Sequence, residues 1–363
     1  MFALSALASG SNLFSSKNIQ KASINCRRNK RNTINALLFE FNSGENLLRL
    51  QQELNDKSYH PSRSILFATT KPKSREIFAA DFRDRIVHHL LVEYLERIFE
   101  PIFIHDSFAC RRDKGTHAAA IRLRKFSRQV TKNNNLRAYY LQLDVKDFFP
   151  SISKEKLFTL ISNKVSDPDI LWLTRLIIFW DCTKSFITRG DNFLLNRIPK
   201  HKSLFGKNNE YGLPIGNLTS QFFANVYLNE LDQFVKHTLK ARYYLRYVDD
   251  FVILSPDATE LSAWQTRIEE FLSNQLKLRL HPKRHKLLPI SNGIDFLGYI
   301  IRPRYVLVRR RVINNLKEKI KQFKQAKVKD FKIFRDAVAS YLGHFKWANS
   351  YRLINKLVEK RSW

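Results

Sequence analysis

The sequence predicts a mixed α+β fold with helices packed on an antiparallel sheet, and three observations predict it. Apolar residues recur at helical spacing over long stretches, as Ile86, Leu90, Leu91, Tyr94, Leu95 and Ile98 do. Between such stretches lie short runs without breakers, RAYYLQLDV, YYLRY and FVIL, rich in the aromatic and branched residues of buried strands. The last two are separated only by Val248, Asp249 and Asp250, which is a hairpin signal.

Taken in order, residues 17–33 form a basic run that reads as a solvated or phosphate-contacting face. Two helices are expected next. Pro61 and Pro72 then bracket SRSILFATT, a short strand ending in a basic turn. A helix follows from Asp84 to Phe99, Gly115 opens another (THAAAIRLRKFSRQV), and Asn133, Asn134 and Asn135 mark a loop before the RAYYLQLDV strand. Helices are expected at 154–164 and 169–180, whereas 181–210 is polar and ambiguous. Gly212, Pro214 and Gly216 make a loop that feeds a long helix, TSQFFANVYLNELDQFVKHTL. After the hairpin come a helix at 259–277, strands in IDFLGYIIR and YVLV, and a helical, basic stretch from Val312 onward.

Composition narrows the function. The 363 residues allow two or three subdomains around a sizeable core. Lys and Arg number 63 against 33 Asp and Glu, a formal charge of +30 that repels itself unless the natural partner is a polyanion. With 44% hydrophobic and 13% aromatic residues, a disordered basic tail is excluded. Cys26, Cys110 and Cys182 lie too far apart for a disulfide framework or a CxxC zinc site. The longest apolar stretch, Ile170 to Trp180, is about half a bilayer span and contains Arg175, so no membrane crossing is expected. The opening MFALSALASG lacks a basic region and a long enough apolar run for a signal peptide. An intracellular globular protein facing nucleic acid is the expectation.

An Asp-Asp pair alone is common and reads as a turn. Here Asp249 and Asp250 lie at a bend between two apolar strands, and Asp144 ends another such strand in LQLDVKDFF. If those strands are neighbours in one sheet, three carboxylates converge at its end. Two carboxylates ~4 Å apart repel by ~4 kcal/mol at an effective dielectric near 20, so the cluster is costly unless cations fill it. Clustered hard oxygen ligands suit Mg²⁺, and two such ions ~3.5–4 Å apart suit in-line phosphoryl transfer. His281 and His285 have the spacing of a helical metal pair, but Pro282 intervenes and no Cys or Glu completes a site. His88 and His89 read as helix packing, and Asp147 as a turn or cap residue.

Four blocks, LQLDVKDFFPSI, GLPIGNLTSQFFANVYLNELD, RYVDDFVIL and IDFLGY, resemble in order and spacing the palm motifs of reverse transcriptases. KPKSREIFAADFRDRIVHHLL and FACRRDKGTHAAA resemble the fingers motifs of bacterial members, and SYLGHFKWANS resembles their thumb. The resemblance runs from about residue 30 to 355. It implies a right-hand polymerase fold: an N-terminal extension and fingers over 1–137, a palm over 138–301 with a helical insertion at 154–210, and a helical thumb over 302–363. It implies an RNA-directed DNA polymerase using two Mg²⁺ ions, with Mn²⁺ as a substitute, on template RNA, a primer or cDNA strand and dNTPs. Asp144, Asp249 and Asp250 would be the catalytic metal ligands. Lys73 and Arg75 would grip the triphosphate, Phe149 would be the steric gate against a ribose 2′-hydroxyl, and Ile215, Gly216 and Gln221 would border the nucleotide. Lys283 or Arg284 would assist the leaving group. Tyr247, Phe296, Leu297 and Gly298 would hold the primer, and Arg111, Arg112 and Lys114 would touch template phosphates.

The stretch Ile215-Gly216-Asn217-Leu218-Thr219-Ser220-Gln221 resembles the enzymes of diversity-generating retroelements, where most reverse transcriptases carry Gln before the Gly. Those enzymes copy a template-repeat RNA with errors opposite adenine and work with a small basic pentameric accessory protein. The resemblance implies a cytoplasmic enzyme, bacterial or phage-encoded, with no membrane partner. An RNase H, endonuclease or maturase segment is not expected, which speaks against a self-mobile intron enzyme. Two alternatives stay open: an anti-phage defence reverse transcriptase copying a dedicated noncoding RNA, and a non-catalytic RNA-binding protein on the same scaffold. Retron-type synthesis is not expected with the Gln221 form.

Overall fold

The computed structural model describes residues 13–28, 33–70, 73–326 and 330–358. The opening MFALSALASG, Pro72 and part of the 17–33 run lie outside the described residues. The strands are β1 (Ser64–Thr69), β2 (Arg75–Ala79), β3 (Tyr139–Asp144), β4 (Phe186–Thr188), β5 (Tyr243–Tyr247), β6 (Asp250–Ser255), β7 (Lys286–Pro289), β8 (Ile294–Phe296), β9 (Tyr299–Ile301) and β10 (Val306–Val308). They form three sheets in the orders β2-β1-β4, β5-β6-β3-β7 and β10-β9-β8. Every pairing is antiparallel except β1 with β4. Helices flank these sheets, so the chain has the mixed α+β fold that its sequence predicts. Among the described residues no helix is long and apolar enough to cross a membrane.

The chain divides into two units. The first comprises Met1–Ile104, Val145–Leu231 and Phe271–Arg279. In it the basic run begins as a helix, Ser16–Arg27, which buries Ile19, Ala22 and Cys26 at helical spacing and leaves its lysines outside. The helix Phe82–Phe99 starts where the Asp81 carboxylate accepts from Arg83 N, and it buries Ile86, Val87, His88, Leu90, Leu91 and Leu95. Strand β2 carries no strong sequence signal, because REIFA is short and begins with two charges. Glu76 is nonetheless buried, accepting from Ser203 Oγ (2.7 Å) and from Leu204 N. Burial raises its pKa, and the Leu204 and Ser203 bonds pull the other way. That pair helps order the ambiguous 181–210 segment, which forms β4, a short helix Asn192–Asn196 and a 3₁₀ turn. Leu66, Phe78 and Cys182 make the core beneath it.

The second unit comprises His105–Asp144, Asp232–Glu270 and Leu280–Trp363. One face of its four-stranded sheet, with Tyr140, Leu245, Val252 and Leu254, packs against the helix Thr116–Val130 and the β8–β10 sheet through Leu123, Phe126, Phe296 and Tyr299. The opposite face is as dry, with Leu141, Tyr244, Phe251 and Ile253 fully buried. Strand β7 is also unmarked in the sequence: it is an edge strand of four residues, mostly exposed and ending in Pro289. Toward the end of the chain the helices Arg310–Gln325, Phe331–Phe345 and Tyr351–Val358 close on Leu316, Ile320, Val338 and Phe345.

His88 sits inside its helix, and burial, aided by His89 and Arg85, pulls its pKa from 6.5 down to about 3. The unfolded chain therefore binds a proton at this position between those two values while the folded chain does not, so stability falls as pH drops through that window. Urea titrations at pH 7 and pH 5 are expected to show this loss, and His88→Leu to flatten it.

Candidate active site

Strands β3 and β6 run antiparallel with Asp144 opposite Asp250, and β5 adds Tyr247 opposite Asp250. Directly opposed residues of such a pair hold their Cβ atoms about 4.5–5.5 Å apart on one face. Two of the three expected carboxylates are thus brought together at one end of the sheet, and Asp249 is the neighbour of Asp250 in the turn. The turn is narrower than the sequence suggested: Asp250 belongs to β6, leaving Val248 and Asp249 as the connection. Val248 adopts φ 55°, a left-handed conformation that a β-branched residue resists.

What holds Val248 there is a buried ion pair. Arg246 Nη1 donates to the Val248 carbonyl (3.1 Å), while Nε and Nη2 engage Asp232 Oδ1 and Oδ2 at 2.8 and 2.6 Å. Tyr244 donates its hydroxyl to the same Asp232 Oδ1 (2.7 Å). Both charged side chains are 0% exposed. Burial alone would lower the Arg246 pKa, but the Asp232 charge outweighs it and the guanidinium stays protonated. Burial, and then the Asp232 charge, push the Tyr244 hydroxyl well above its usual value. The backbone of Arg246 carries a second junction: its N–H donates to the Asp106 carbonyl, and its carbonyl accepts from Phe108 N, each at 3.0 Å.

The acids already have partners. Asp144 Oδ2 meets Arg284 Nη1 at 2.8 Å, the side chains being 16% and 42% exposed. Both Asp250 oxygens accept from Gln142 Nε2, at 3.1 and 3.4 Å. The Asp144 carbonyl accepts from His281 N (2.8 Å), and His281 Nδ1 from Lys283 N (3.2 Å). Arg284 thus contacts the acid, whereas Lys283 lies exposed beside it. Among the described residues no group of three or more His, Cys, Asp or Glu is arranged to hold a metal ion. The donors that suit a hard divalent cation are Asp144 and Asp250, with Asp249 adjacent. Arg284 stands at Asp144 with the charge such a cation would bring, and a half-exposed ion pair of this kind is worth only about 0–1 kcal/mol.

Other expected site residues of this unit surround the same strands. Arg111 and Lys114 donate to the carbonyls of Ser107 (2.9 Å) and His105 (3.0 Å), and Arg112 is exposed. Asp106 anchors their loop: burial pushes its pKa up, but the two Arg122 bonds (2.7 and 3.2 Å) and His105 bring it below the ordinary value. Thr116 Oγ1 is 3.2 Å from the Tyr247 hydroxyl. Phe296 is buried, and Leu297 and Gly298 form the two-residue β8–β9 turn with φ of 50° and 87°. A Cβ on Gly298 would come within 3.0 Å of His344 Nε2, whose ring stacks on Tyr299 at 4.0 Å.

The remaining residues belong to the first unit. Lys73 and Arg75 are exposed where β2 begins. Phe149 is half-buried against Phe148, with ring centroids 5.4 Å apart. The Ile215 carbonyl accepts from Phe78 N and Asn217 Oδ1 from Ala80 N, both at 2.9 Å, lacing this loop to β2. Gly216, at φ 125°, lies so close that a Cβ would meet the Ile77 side chain at 2.8 Å. Gln221 is exposed in the first turn of the helix Leu218–Gln233, and Asp147 sits in a left-handed turn as expected. Asp106, Asp232, Arg246 and His344 escaped the sequence reading. For Asp232 and Arg246 the available signal was a charge within an otherwise apolar helix or strand.

The reverse transcriptase (RNA-dependent DNA polymerase) family matches residues 68–301, more than half of the chain and all three acids included. The chain belongs to that family. It is related to group II intron-encoded proteins: LtrA of Lactococcus lactis subsp. cremoris is 23% identical over 360 residues, covering 77% of this chain and 56% of that protein. The chain therefore spans about half the length of LtrA. Protein YkfC of Escherichia coli (strain K12) is 25% identical over 328 residues, covering 80% of each. A solved telomerase from Candida albicans, in complex with a fragment of telomeric RNA, is similar at a TM-score of 0.48 and 11% identity, covering 84% of this chain and 56% of that one.

Removing one member of the buried pair strands the other charge, at about 3–5 kcal/mol. Asp232→Asn is expected to lower unfolding stability on that scale in urea titrations, and Tyr244→Phe by about 1.5–3 kcal/mol, the worth of one hydrogen bond to a charged group.

Proposed function

We propose that this chain is an RNA-directed DNA polymerase whose catalytic acids are Asp144, Asp249 and Asp250. The observation that carries the reading is the register pairing of Asp144 with Asp250 beside a strained turn bearing Asp249, within the stretch that matches the family. Mg²⁺ held by these carboxylates would supply the charge that activates a primer 3′-hydroxyl and stabilises departing pyrophosphate. The chain's own residues then have distinct tasks. Arg284, paired with Asp144, would yield that carboxylate to a divalent cation while keeping a positive charge near the site. Arg246 fixes the Asp249 turn through the Val248 carbonyl. Lys73 and Arg75 bind the triphosphate by charge-assisted bonds, and Phe149 excludes a ribose 2′-hydroxyl by its bulk. Arg111, Arg112 and Lys114 contact template phosphates, while Tyr247 and the Phe296–Leu297–Gly298 turn orient the primer. On this reading 1–137, 138–301 and 302–363 are fingers, palm and thumb.

The Asp249→Ala variant is expected to lose Mg²⁺-dependent dNTP incorporation on a primed RNA while binding that RNA at least as tightly. Persistent incorporation would remove the assignment, and a parent chain that binds the primed RNA without incorporating dNTPs would indicate an RNA-binding scaffold.

Within this activity, Ile215 supports error-prone copying of a template-repeat RNA, as in diversity-generating retroelements; a related defence enzyme copying a dedicated noncoding RNA would share the same polymerase site. An amide at this position can bond to the nucleotide and test its placement, whereas Ile offers only an apolar surface. One or two hydrogen bonds of ~1 kcal/mol each amount to several-fold in discrimination. Ile215→Gln is expected to lower misincorporation opposite template adenine several-fold in sequenced primer-extension products. An accessory protein that is small, basic and pentameric belongs to this reading as a partner.

A further inference from the structure

Away from the carboxylates, the second unit contains a cavity of about 330 Å³ lined by Arg124, Arg128, Asn133, Pro303 and Arg304. Three of its five lining residues are arginines, and none is acidic. Arg124 and Arg128 are four apart on the helix Thr116–Val130, so they share a face, an arrangement that costs stability when both carry the same charge. Arg304 joins them from the connection between β9 and β10.

The Arg124 and Arg128 guanidinium groups are held rather than loose. Arg124 Nη2 donates to the Arg304 carbonyl (2.6 Å), which ties the helix to the β9–β10 turn. Arg128 Nε donates to Asn133 Oδ1 (3.2 Å), and Asn133 N returns a bond to the Arg128 carbonyl (2.7 Å). Asn133 sits in a run of three left-handed residues, Lys132, Asn133 and Asn134, with φ of 45°, 60° and 78°. Arg124 Nε is buried without a hydrogen-bond partner. A buried donor left unpaired is costly, and an anion in the cavity would offset the mutual repulsion of its arginines.

We propose that this cavity binds the phosphodiester backbone of a single-stranded or looped RNA segment. Guanidinium forks pair bidentately with phosphate oxygens, and the concave shape suits a nucleotide turned out of a helix rather than the regular face of a duplex. The inference rests on the polymerase reading for the identity of the polyanion, and it adds a contact that reading does not assign. Preordered arginines would hold part of the template RNA in place while other segments move past the acids.

Binding of a labelled oligo(U) RNA to the full chain tests it, with the dissociation constant measured across ~50–200 mM salt. Arg128→Ala/Arg304→Ala is expected to weaken binding about tenfold at ~100 mM salt and to make the slope of log K against log salt shallower by about 1.4, at ~0.7 per single-strand phosphate contact. Arg128→Lys/Arg304→Lys should restore the slope. A matched control, Arg242→Ala/Arg267→Ala, removes two exposed arginines elsewhere and should move the slope much less. A slope in the cavity variant equal to that of the parent or of the control would overturn the proposal. So would saturable ³¹P line broadening of inorganic phosphate that the cavity variant abolishes while its RNA slope stays at the parental value, since that marks a free-anion site. Mg²⁺-dependent extension of a short primed RNA by the parent chain reports separately on the polymerase reading.

Discussion

The pairing of Arg246 with Asp232 is the constraint from which the acidic end of the sheet takes its shape. A guanidinium and a carboxylate with no solvent exposure survive in a protein only when nearly every donor and acceptor is used. Here Asp232 accepts from Nε and Nη2 of the guanidinium and from Tyr244, and Nη1 reaches the Val248 carbonyl. That last bond turns an electrostatic necessity into geometry. It stabilises a left-handed valine, which closes the β5–β6 connection in two residues and aligns Tyr247 with Asp250. The backbone of the same arginine pairs with the 106–108 segment, so the loop bearing Arg111 and Lys114 and the turn bearing Asp249 take their positions from one strand residue.

Charge in this unit is managed by proximity rather than by number. The chain carries an excess of 30 positive charges, yet two arginines of this unit that face inward each have a carboxylate acceptor: Arg246 has Asp232, and Arg122 has Asp106. Arg284 on Asp144 is a looser case, exposed enough to exchange with solvent ions. The cavity arginines Arg124 and Arg128 are the exception, positioned by carbonyl and amide oxygens instead of carboxylates. Permanent ion pairs therefore go with the scaffold, and the unneutralised or exchangeable charges with surfaces that meet a polyanion.

Much of this was legible in the residues. Strong periodicity located the helix over 84–99, and aromatic and branched runs located β3, β5 and β6, because in these segments local pattern and tertiary burial agree. The opposition of Asp144 to Asp250 was foreseeable once both strands were assigned to one sheet. Strands β2 and β7 were not foreseeable. The first depends on Glu76 finding partners more than a hundred positions away at Ser203 and Leu204, and the second is a short, exposed edge. The same cause hid the order within 181–210. The Arg246–Asp232 pair escaped because both residues sit in quoted motifs where the neighbouring Asp-Asp draws the chemical interest, and the pairing exists only after helix and strand meet. Whether Lys283 or Arg284 approaches the acids also depended on a turn geometry that sequence does not encode strongly, with His281 and Lys283 closing the bend.

The β8–β9 connection has a consequence for how this lineage can vary. Both of its residues are left-handed, one faces the hydrophobic core, and the other leaves no room for a side chain beneath the His344 ring. Alternation along a strand is strict, so lengthening this loop by one residue would exchange inside for outside along one arm and evict Phe296 or Tyr299 from the interior. An insertion in this turn should therefore be disfavoured, because Phe296 and Tyr299 on either side of it must both stay in the interior.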